Sequence, residues 1–256
     1  MKIYNDIHQA YLGTLGDVYF NYEYRAAPRG LPVREKTDYT FRVLNPTNEP
    51  IVTKDTERNK TIADYTRKEV ELYNSCTNLA SEFGKASKFW EKLANPDGTV
   101  NSAYGYLIWK NKSHGNPNFE FKNGNSEYQG PDSDYMRTPW EWAKESLIQD
   151  KDSRQALLRF SLPQHQYMGN KDQTCTLNGL FLIRENKLNL SVVMRSNDMW
   201  LGLTYDLPWF MSLIDRMVGE LKPYYPDLVK GTYTHTVHSL HCYERDEEKI
   251  KKALGL

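Results

Sequence analysis

The stretch "VVMRSNDMWLGLTYD" (residues 192–206) closes an apolar, strand-like run with Arg195, Ser196, Asn197 and Asp198, and places another acid, Asp206, four residues past Gly202. Charged groups at the end of a buried strand are costly unless they are paired or bind something. Arg195 and Ser196 offer a planar guanidinium fork and a hydroxyl, a set that suits the tetrahedral oxygens of a phosphate. A salt bridge to a neighbouring acid is the commoner fate of a single arginine. Arg154, in "KDSRQ", and the loop arginines Arg29 and Arg34 could join the same site. The sequence has no Walker motif and no GxGxxG fingerprint, so a phosphate cradle at a helix start is not supported.

Cys175 stands in "DQTCTLNG", between a polar loop and an apolar run. A free cysteine is more often a small buried hydrophobe than a nucleophile, and the residue alone leaves both readings open. The company of Arg195, Ser196 and Arg154 favours the nucleophile, because a thiolate needs positive potential to lower its pKa. Cys76, on an apolar helix face, and Cys242, in an alternating run, read as buried. Glu69, in "RKEVELY", lies between helix positions that look core-facing. A surface acid is the ordinary case there. Turned inward, its carboxyl would have a raised pKa and could move protons.

The three histidines of "THTVHSLH" raise the question of a metal. On a strand His235 and His241 share a face while His238 points the other way, so the three cannot converge, and no metal is expected. His241 and Tyr243 put an imidazole and a phenol on one face. That pair suits a sugar hydroxyl, and suits a buried hydrogen-bonded structure equally well.

The elements that must position these groups follow from periodicity. "RAAPRGLPVREKTDY" reads as a basic loop punctuated by Pro and Gly, and "TDYTFRVLNPTNEPIV" as a strand broken at "NPTNEP". Ile62, Tyr65, Leu72, Tyr73, Cys76 and Leu79 recur near helical spacing, which predicts helix over residues 61–94 with an interruption at Gly84. "NPDG" at 95–98 is a turn, and 111–133 reads as a long exposed loop. "WEWAKESLIQ" predicts a short helix, and "QALLRFSL" a strand. "LNGLFLI" and "LNLSVVM" predict a hairpin through "RENK". Phe210, Leu213, Ile214, Met217 and Leu221 mark one face of a helix that runs from Asp206 and stops before Pro223. "YTHTVHSLHCY" alternates as a strand. Glu247 and Glu248, four before Lys251 and Lys252, predict a solvated terminal helix. Strands and helices mix without a βαβ rhythm, so the expected class is α+β.

At 256 residues the chain can bury a full core, and no linker or repeat divides it, so a single domain over 1–256 is expected. With 33 basic and 33 acidic residues there is no basic surplus for coating nucleic acid. No apolar run approaches the roughly 20 residues of a membrane span, and "MKIYNDIHQAYLG" lacks a signal peptide's apolar core. Three widely spaced cysteines argue for a reducing compartment. A cytoplasmic protein is expected.

Taken together, these stretches resemble the thymidylate synthase superfamily. "CTLNGLFLIRENKLNLSVVMRSNDMWLGLTYD" followed by "SLHCY" has that family's order of a nucleophilic Cys, then R-S-x-D-x-x-x-G-x-x-x-[N/D], then H-x-Y. "DSRQ" resembles its D-S-R-R, and "KEVELY" with "KFWEKLANPDGTVNSAYGYLIW" its catalytic-Glu helix and following Trp and Tyr-Gly segment. The likeness covers roughly residues 61–245, with "PRGLPVREKTDYTF" a weaker match to the phosphate-loop region. "CTLN", "MRSND" and "SLHCY" look closer to the phage-type deoxycytidylate hydroxymethylases. Asp206 is the chief sign of that branch, since thymidylate synthases carry Asn there to complement uracil. A carboxylate accepts from cytosine N4. Against uracil O4 it would set acceptor against acceptor, a buried mismatch costing on the order of 1–3 kcal/mol.

The resemblance implies a mixed sheet packed with helices, with a sheet face forming a homodimer interface. It implies Cys175 as nucleophile at C6 of the pyrimidine and Glu69 as the group that orders water, with Asp206 selecting the base. Arg195, Ser196, Arg29 and the partner's Arg154 would hold the phosphate of dCMP, and His241 and Tyr243 the 3′-hydroxyl. Asp198, Trp90 and Gly202 would receive 5,10-methylenetetrahydrofolate. The sequence departs from the family where Gln155 replaces the second Arg, where Thr176 replaces the His after the Cys, and where Met194 replaces the Gln before Arg-Ser. It also lacks, after Tyr243, the segment with which thymidylate synthases close over folate, which is expected to favour water capture over hydride transfer. A dCMP or dUMP methylase, a CMP hydroxymethylase and a non-catalytic nucleotide binder are the alternatives.

Overall fold

The computed structural model describes residues 1–112 and 136–256. All but the first two residues of the loop expected at 111–133 lie outside that range. The elements in chain order are Lys2–Tyr4 (β1), Ile7–Phe20 (α1), Tyr24–Ala26 (β2), Val33–Val43 (β3), Thr56–Asn74 (α2), Ala80–Ala86 (α3), Phe89–Leu93 (α4), Tyr104–Trp109 (α5), Pro139–Gln149 (α6), Leu157–Arg159 (β4), Thr176–Arg184 (β5), Lys187–Met194 (β6), Asn197–Asp198 (β7), Leu203–Leu221 (α7), Val229–Tyr243 (β8) and Glu247–Leu254 (α8). The strands form one mixed sheet in the order β1-β3-β8-β6-β5-β4, with β2 on β3 and β7 on β8. β6 and β8 are parallel, while β5 and β6 are an antiparallel hairpin. This is the expected α+β architecture.

Period-2 alternation decides which sheet face is covered. Leu188, Leu190, Val192 and Met194 of β6 are buried, whereas Asn189, Ser191 and Val193 between them are half-buried. The buried face packs on α7, whose Trp209, Phe210, Leu213, Ile214 and Met217 are all essentially inaccessible. Burying each such side chain contributes roughly 1.5–3 kcal/mol. The β5–β6 hairpin turns at Glu185 and Asn186, with φ of 50° and 58°. Positive φ at both central residues gives the twist that suits a two-residue hairpin.

Three expectations change. The helix expected over 61–94 is instead three helices, and the break falls after Asn74 rather than at Gly84. Cys76 takes φ 56° just past α2, so it is half-buried in a turn rather than on an apolar helix face. Gly84 lies inside α3 and does not end it. The loop around "PRGLP" is also shorter than read: β2 precedes it and β3 already begins at Val33. That early start follows from pairing, because Val33 to Lys36 lie opposite Tyr243 to Leu240 of β8.

Close backbone approach fixes α5 against α2. A Cβ on Gly105 would stand 1.7 Å from the carbonyl oxygen of Tyr73, which only backbone displacement could relieve. Gly105→Ala is expected to destabilise by roughly 3 kcal/mol or more, lowering Tm by about 6 °C or more. A thermal melt within about 2 °C of the parent would contradict this contact.

Candidate active site

Cys175 sits immediately before β5, where the chain leaves the polar loop and enters the sheet. Its carbonyl accepts from the Arg195 backbone N–H at 2.9 Å, which ties the two residues across the hairpin. The Arg195 guanidinium then folds over the preceding loop. Nε donates to the Thr174 carbonyl at 3.0 Å, Nη2 to the Gln173 carbonyl at 2.5 Å, and Nη2 lies 3.5 Å from Cys175 Sγ. The commoner use of a lone arginine, a salt bridge, is not what it makes. Ser196 is half-buried, and its hydroxyl has no hydrogen-bond partner among the described residues.

The thiol itself corrects one expectation. Burial pushes the Cys175 pKa up, and Arg195 and then Arg29 oppose it without reversing the direction. Desolvation of a thiolate outweighs one nearby guanidinium here. Burial therefore favours the thiol form of Cys175 over the thiolate.

The other groups come from five further elements. Glu69 is 8% exposed on the inner face of α2, and burial, then the charge of Asp206, raises its carboxyl to about 8. Tyr65, one turn earlier, lies beside that carboxyl and opposes the rise of its pKa, and it accepts the Trp90 indole N–H at 3.1 Å. Trp90 is itself packed on Phe83, with ring centroids 5.0 Å apart. Asp206 lies in the first turn of α7. Burial, then Asp198, raises its carboxyl to about 7, and a hydrogen bond from Asn197 Nδ2 at 2.9 Å opposes this. Asp198 Oδ1 accepts the Trp200 N–H at 2.8 Å. A Cβ on Gly202 would stand 2.8 Å from the Asp198 carbonyl oxygen, so the turn between them needs glycine. His241 pairs in register with Asp198, and its ring meets that of Tyr243 edge to face at 5.3 Å. His235 shares that parity but is fully buried, while His238 is exposed and contacts Asp38.

The arginines separate. Arg29 is at the tip of the loop between β2 and β3 with φ 54°, close enough to act on both Cys175 and Tyr243. Arg34 is turned away, donating to the Tyr19 carbonyl at 3.2 Å and pairing with Glu247 at 3.3 Å. Arg154 is exposed. It lies two residues before Ala156, whose carbonyl accepts from Phe181; the six residues of β5 back to Cys175 span roughly 20 Å. Within one chain Arg154 does not reach the site. Sequence reasoning missed Asn197, Tyr65 and Tyr104, whose hydroxyl accepts the Thr176 N–H at 3.3 Å. Tyr65 was findable, being four residues before Glu69 on one helix face.

A thiol, two acids with raised pKa values, an imidazole–phenol pair and two arginines thus converge at one end of the sheet, a pattern associated with functional sites. Residues 9–255 match the thymidylate synthase family. The chain belongs to that family. It is similar to the deoxycytidylate 5-hydroxymethyltransferase of Enterobacteria phage T6, 28% identical over 189 residues, covering 71% of this chain and 68% of that protein. The phage T4 protein of the same name is also 28% identical, with the same coverage of each chain. A deoxyuridylate hydroxymethyltransferase of Bacillus phage SP01 is 32% identical over 120 residues, 44% of this chain and 30% of that one. Family and relatives together support one-carbon transfer as the chemistry of this chain. Among the described residues no helix is long and apolar enough to cross a membrane.

The raised value of Glu69 sets the sign of a pH effect on folding. Its unfolded carboxyl ionises near the ordinary value, so from there to about 8 the folded protein keeps a proton that the unfolded chain has lost. Stability from this group is complete below the unfolded value and is lost as pH rises through about 8; Asp206 acts in the same direction. Between about pH 5 and pH 8.5, Glu69→Gln is expected to lose roughly 2–4 kcal/mol less stability than the parent. Denaturant melts across that range check it, and equal slopes would contradict an inward Glu69.

Proposed function

We propose that the protein converts dCMP to 5-hydroxymethyl-dCMP with 5,10-methylenetetrahydrofolate and water. The observation that carries this reading is Asp206, a carboxyl within electrostatic reach of both Cys175 and Glu69, with Oδ2 held by Asn197 and no hydrogen bond to Oδ1 among the described residues. A carboxylate accepts from the cytosine N4 amine and repels uracil O4.

The residues at Asp198 fit a folate. Its Oδ1 is already occupied by Trp200 N–H, its second oxygen can accept from pterin N–H groups, and Gly202 keeps side-chain atoms out of the turn beside it. When bound, the folate supplies a one-carbon unit at the oxidation level of formaldehyde.

Arg195, Ser196 and Arg29 hold the phosphate, and His241 with Tyr243 holds the 3′-hydroxyl. Cys175 Sγ bonds to C6 of the base as its proton passes to solvent, and C5 gains carbanion character. Asp206 stabilises this electron shift by accepting from N4 and, if it is protonated, from N3. Once C5 has lost its proton to solvent and carries an exocyclic methylene, Glu69 in its ionised form accepts a proton from water as the water oxygen bonds to that carbon. The electrons of the exocyclic double bond move to C5–C6, and the thiolate leaves C6. Tyr65, anchored by Trp90, holds Glu69 for this step.

Completion of the phosphate site by Arg154 requires a second copy of the chain, and the half-buried sheet face of Ser191 and Val193 is the surface for it. The chain is therefore read as a homodimer with shared sites. An equal mixture of Cys175→Ser and Arg154→Ala chains, each inactive alone, is expected to recover on the order of a quarter of the parent activity. No recovery after subunit exchange would remove Arg154 from the site.

Tritium release from 5-tritiated dCMP, dUMP and CMP, with and without the folate, tests the whole reading when the product mass is also determined. Folate-dependent release from dCMP with gain of a hydroxymethyl group is expected, and Cys175→Ser should lower it by at least about 10³-fold. Asp206→Asn should lower dCMP turnover by about 10–100-fold and raise that of dUMP. Release from dUMP alone, a methyl product, or release from CMP in preference to dCMP would each replace this reading with the corresponding alternative. Tight nucleotide binding without release would make the protein a binder.

A further inference from the structure

Asn197 takes no part in the steps above, yet it touches the acid that reads the base. It is 2% exposed. Its Nδ2 donates to Asp206 Oδ2 at 2.9 Å and lies 2.8 Å from Met194 Sδ. Its Oδ1 is buried without a hydrogen-bond partner among the described residues, and a Cβ on Gly202 would stand 3.1 Å from it. A thioether is a weak acceptor, so this amide has one strong partner, Asp206. An unpaired buried carbonyl destabilises the fold, and an apolar side chain of the same size would avoid that cost. What the amide supplies in return is one directed hydrogen bond onto a carboxyl.

The direction of that bond matters. An amide N–H only donates, so the Oδ2 it meets must accept. An ionised carboxylate accepts at both oxygens, whereas a protonated one donates from one of them. The groups electrostatically linked to Asp206 are Glu69 and Tyr73 of α2, Tyr104 of α5, Cys175, Asp198 and Tyr233 of β8. None of these is a cation. Burial and Asp198 favour the protonated form, and the hydrogen bond from Asn197 opposes them.

We infer that Asn197 is a specificity-determining positioning residue, whose Nδ2–H holds Asp206 as an acceptor toward the base and so sets the preference for cytosine over uracil. The inference rests on the hydroxymethylase reading. Without Asn197, Asp206 carries a proton near neutral pH and can donate it to uracil O4, which removes the mismatch that excludes dUMP.

The test is competition between dCMP and dUMP in one sample, which gives the ratio of their kcat/KM values independently of the fraction of protein folded. Asn197→Leu keeps the side-chain volume, and Asn197→Ala removes it. Both are expected to lower the dCMP:dUMP ratio by at least about tenfold near neutral pH. The ratio should recover as pH is raised by about 1–2 units and Asp206 ionises. In an Asp206→Asn background the same substitutions should leave the ratio unchanged. In the parent protein the ratio should fall on acidification. A ratio unmoved in both variants, or flat in the parent from about pH 5.5 to pH 8.5, would overturn the inference. Calorimetric binding of dCMP and dUMP reads the same preference without turnover. It separates a failure of Asn197 as selector from a failure of the hydroxymethylase reading, which would show as no folate-dependent release from the parent.

Discussion

Glu69 and Asp206 reach the interior from different helices, α2 and α7, and the charge of one raises the cost of ionising the other. Two carboxyls held this way, with Tyr73 and Tyr104 beside them and no guanidinium among the groups linked to them, titrate near neutrality rather than in the usual carboxylate range. Burial is the largest cause for both. The fold must spend stability to keep them there, and it does so with an apolar α7 that is buried along most of its length. Everything at the site depends on that arrangement, because acids that titrate near pH 7 can exchange protons with a substrate under ordinary conditions.

Geometry around Gly202 explains how Asp206 is aimed. The chain leaves β7, turns tightly over the Asp198 carbonyl, and enters α7 with Asp206 in its first turn. β7 pairs with β8 at Leu240 and His241, so the turn, the acid and the imidazole share one register. A slip of one residue in that pairing would send Asp198 and His241 to opposite faces. The Ser239 N–H, bonded to the Arg195 carbonyl at 3.2 Å, pins the same register from the other side.

Arginines show how similar residues are sorted by their neighbours. Arg34 points at α1 and α8, with its guanidinium 4.5 Å from the Tyr19 ring and engaged with Glu247. Arg29, five residues earlier, sits in a left-handed turn that lifts it toward Cys175. Arg195 is committed to loop carbonyls and keeps only part of its donor fork free. The proposed phosphate site has two arginines from one chain, and Arg154 joins it only from a second chain.

The sequence by itself determined the alternating strands, the hairpin at "RENK", the amphipathic α7 and the order of Cys175, Arg195, Asp198, Asp206, His241 and Tyr243. Each of these is carried by local periodicity or spacing, which pairing and packing then preserve. It misplaced the break in the α2–α4 region, because the left-handed turn at Cys76 has no glycine to mark it, while Gly84 lies inside α3. It also expected arginines to lower the Cys175 pKa, since charge is visible in a sequence and desolvation is not. Only the tertiary structure decided that Arg34 is diverted, that Trp90 bonds to Tyr65, and that Asn197 bonds to Asp206. Those are contacts between elements distant in the chain, or between side chains whose facing depends on a turn, and one-dimensional spacing contains no term for them.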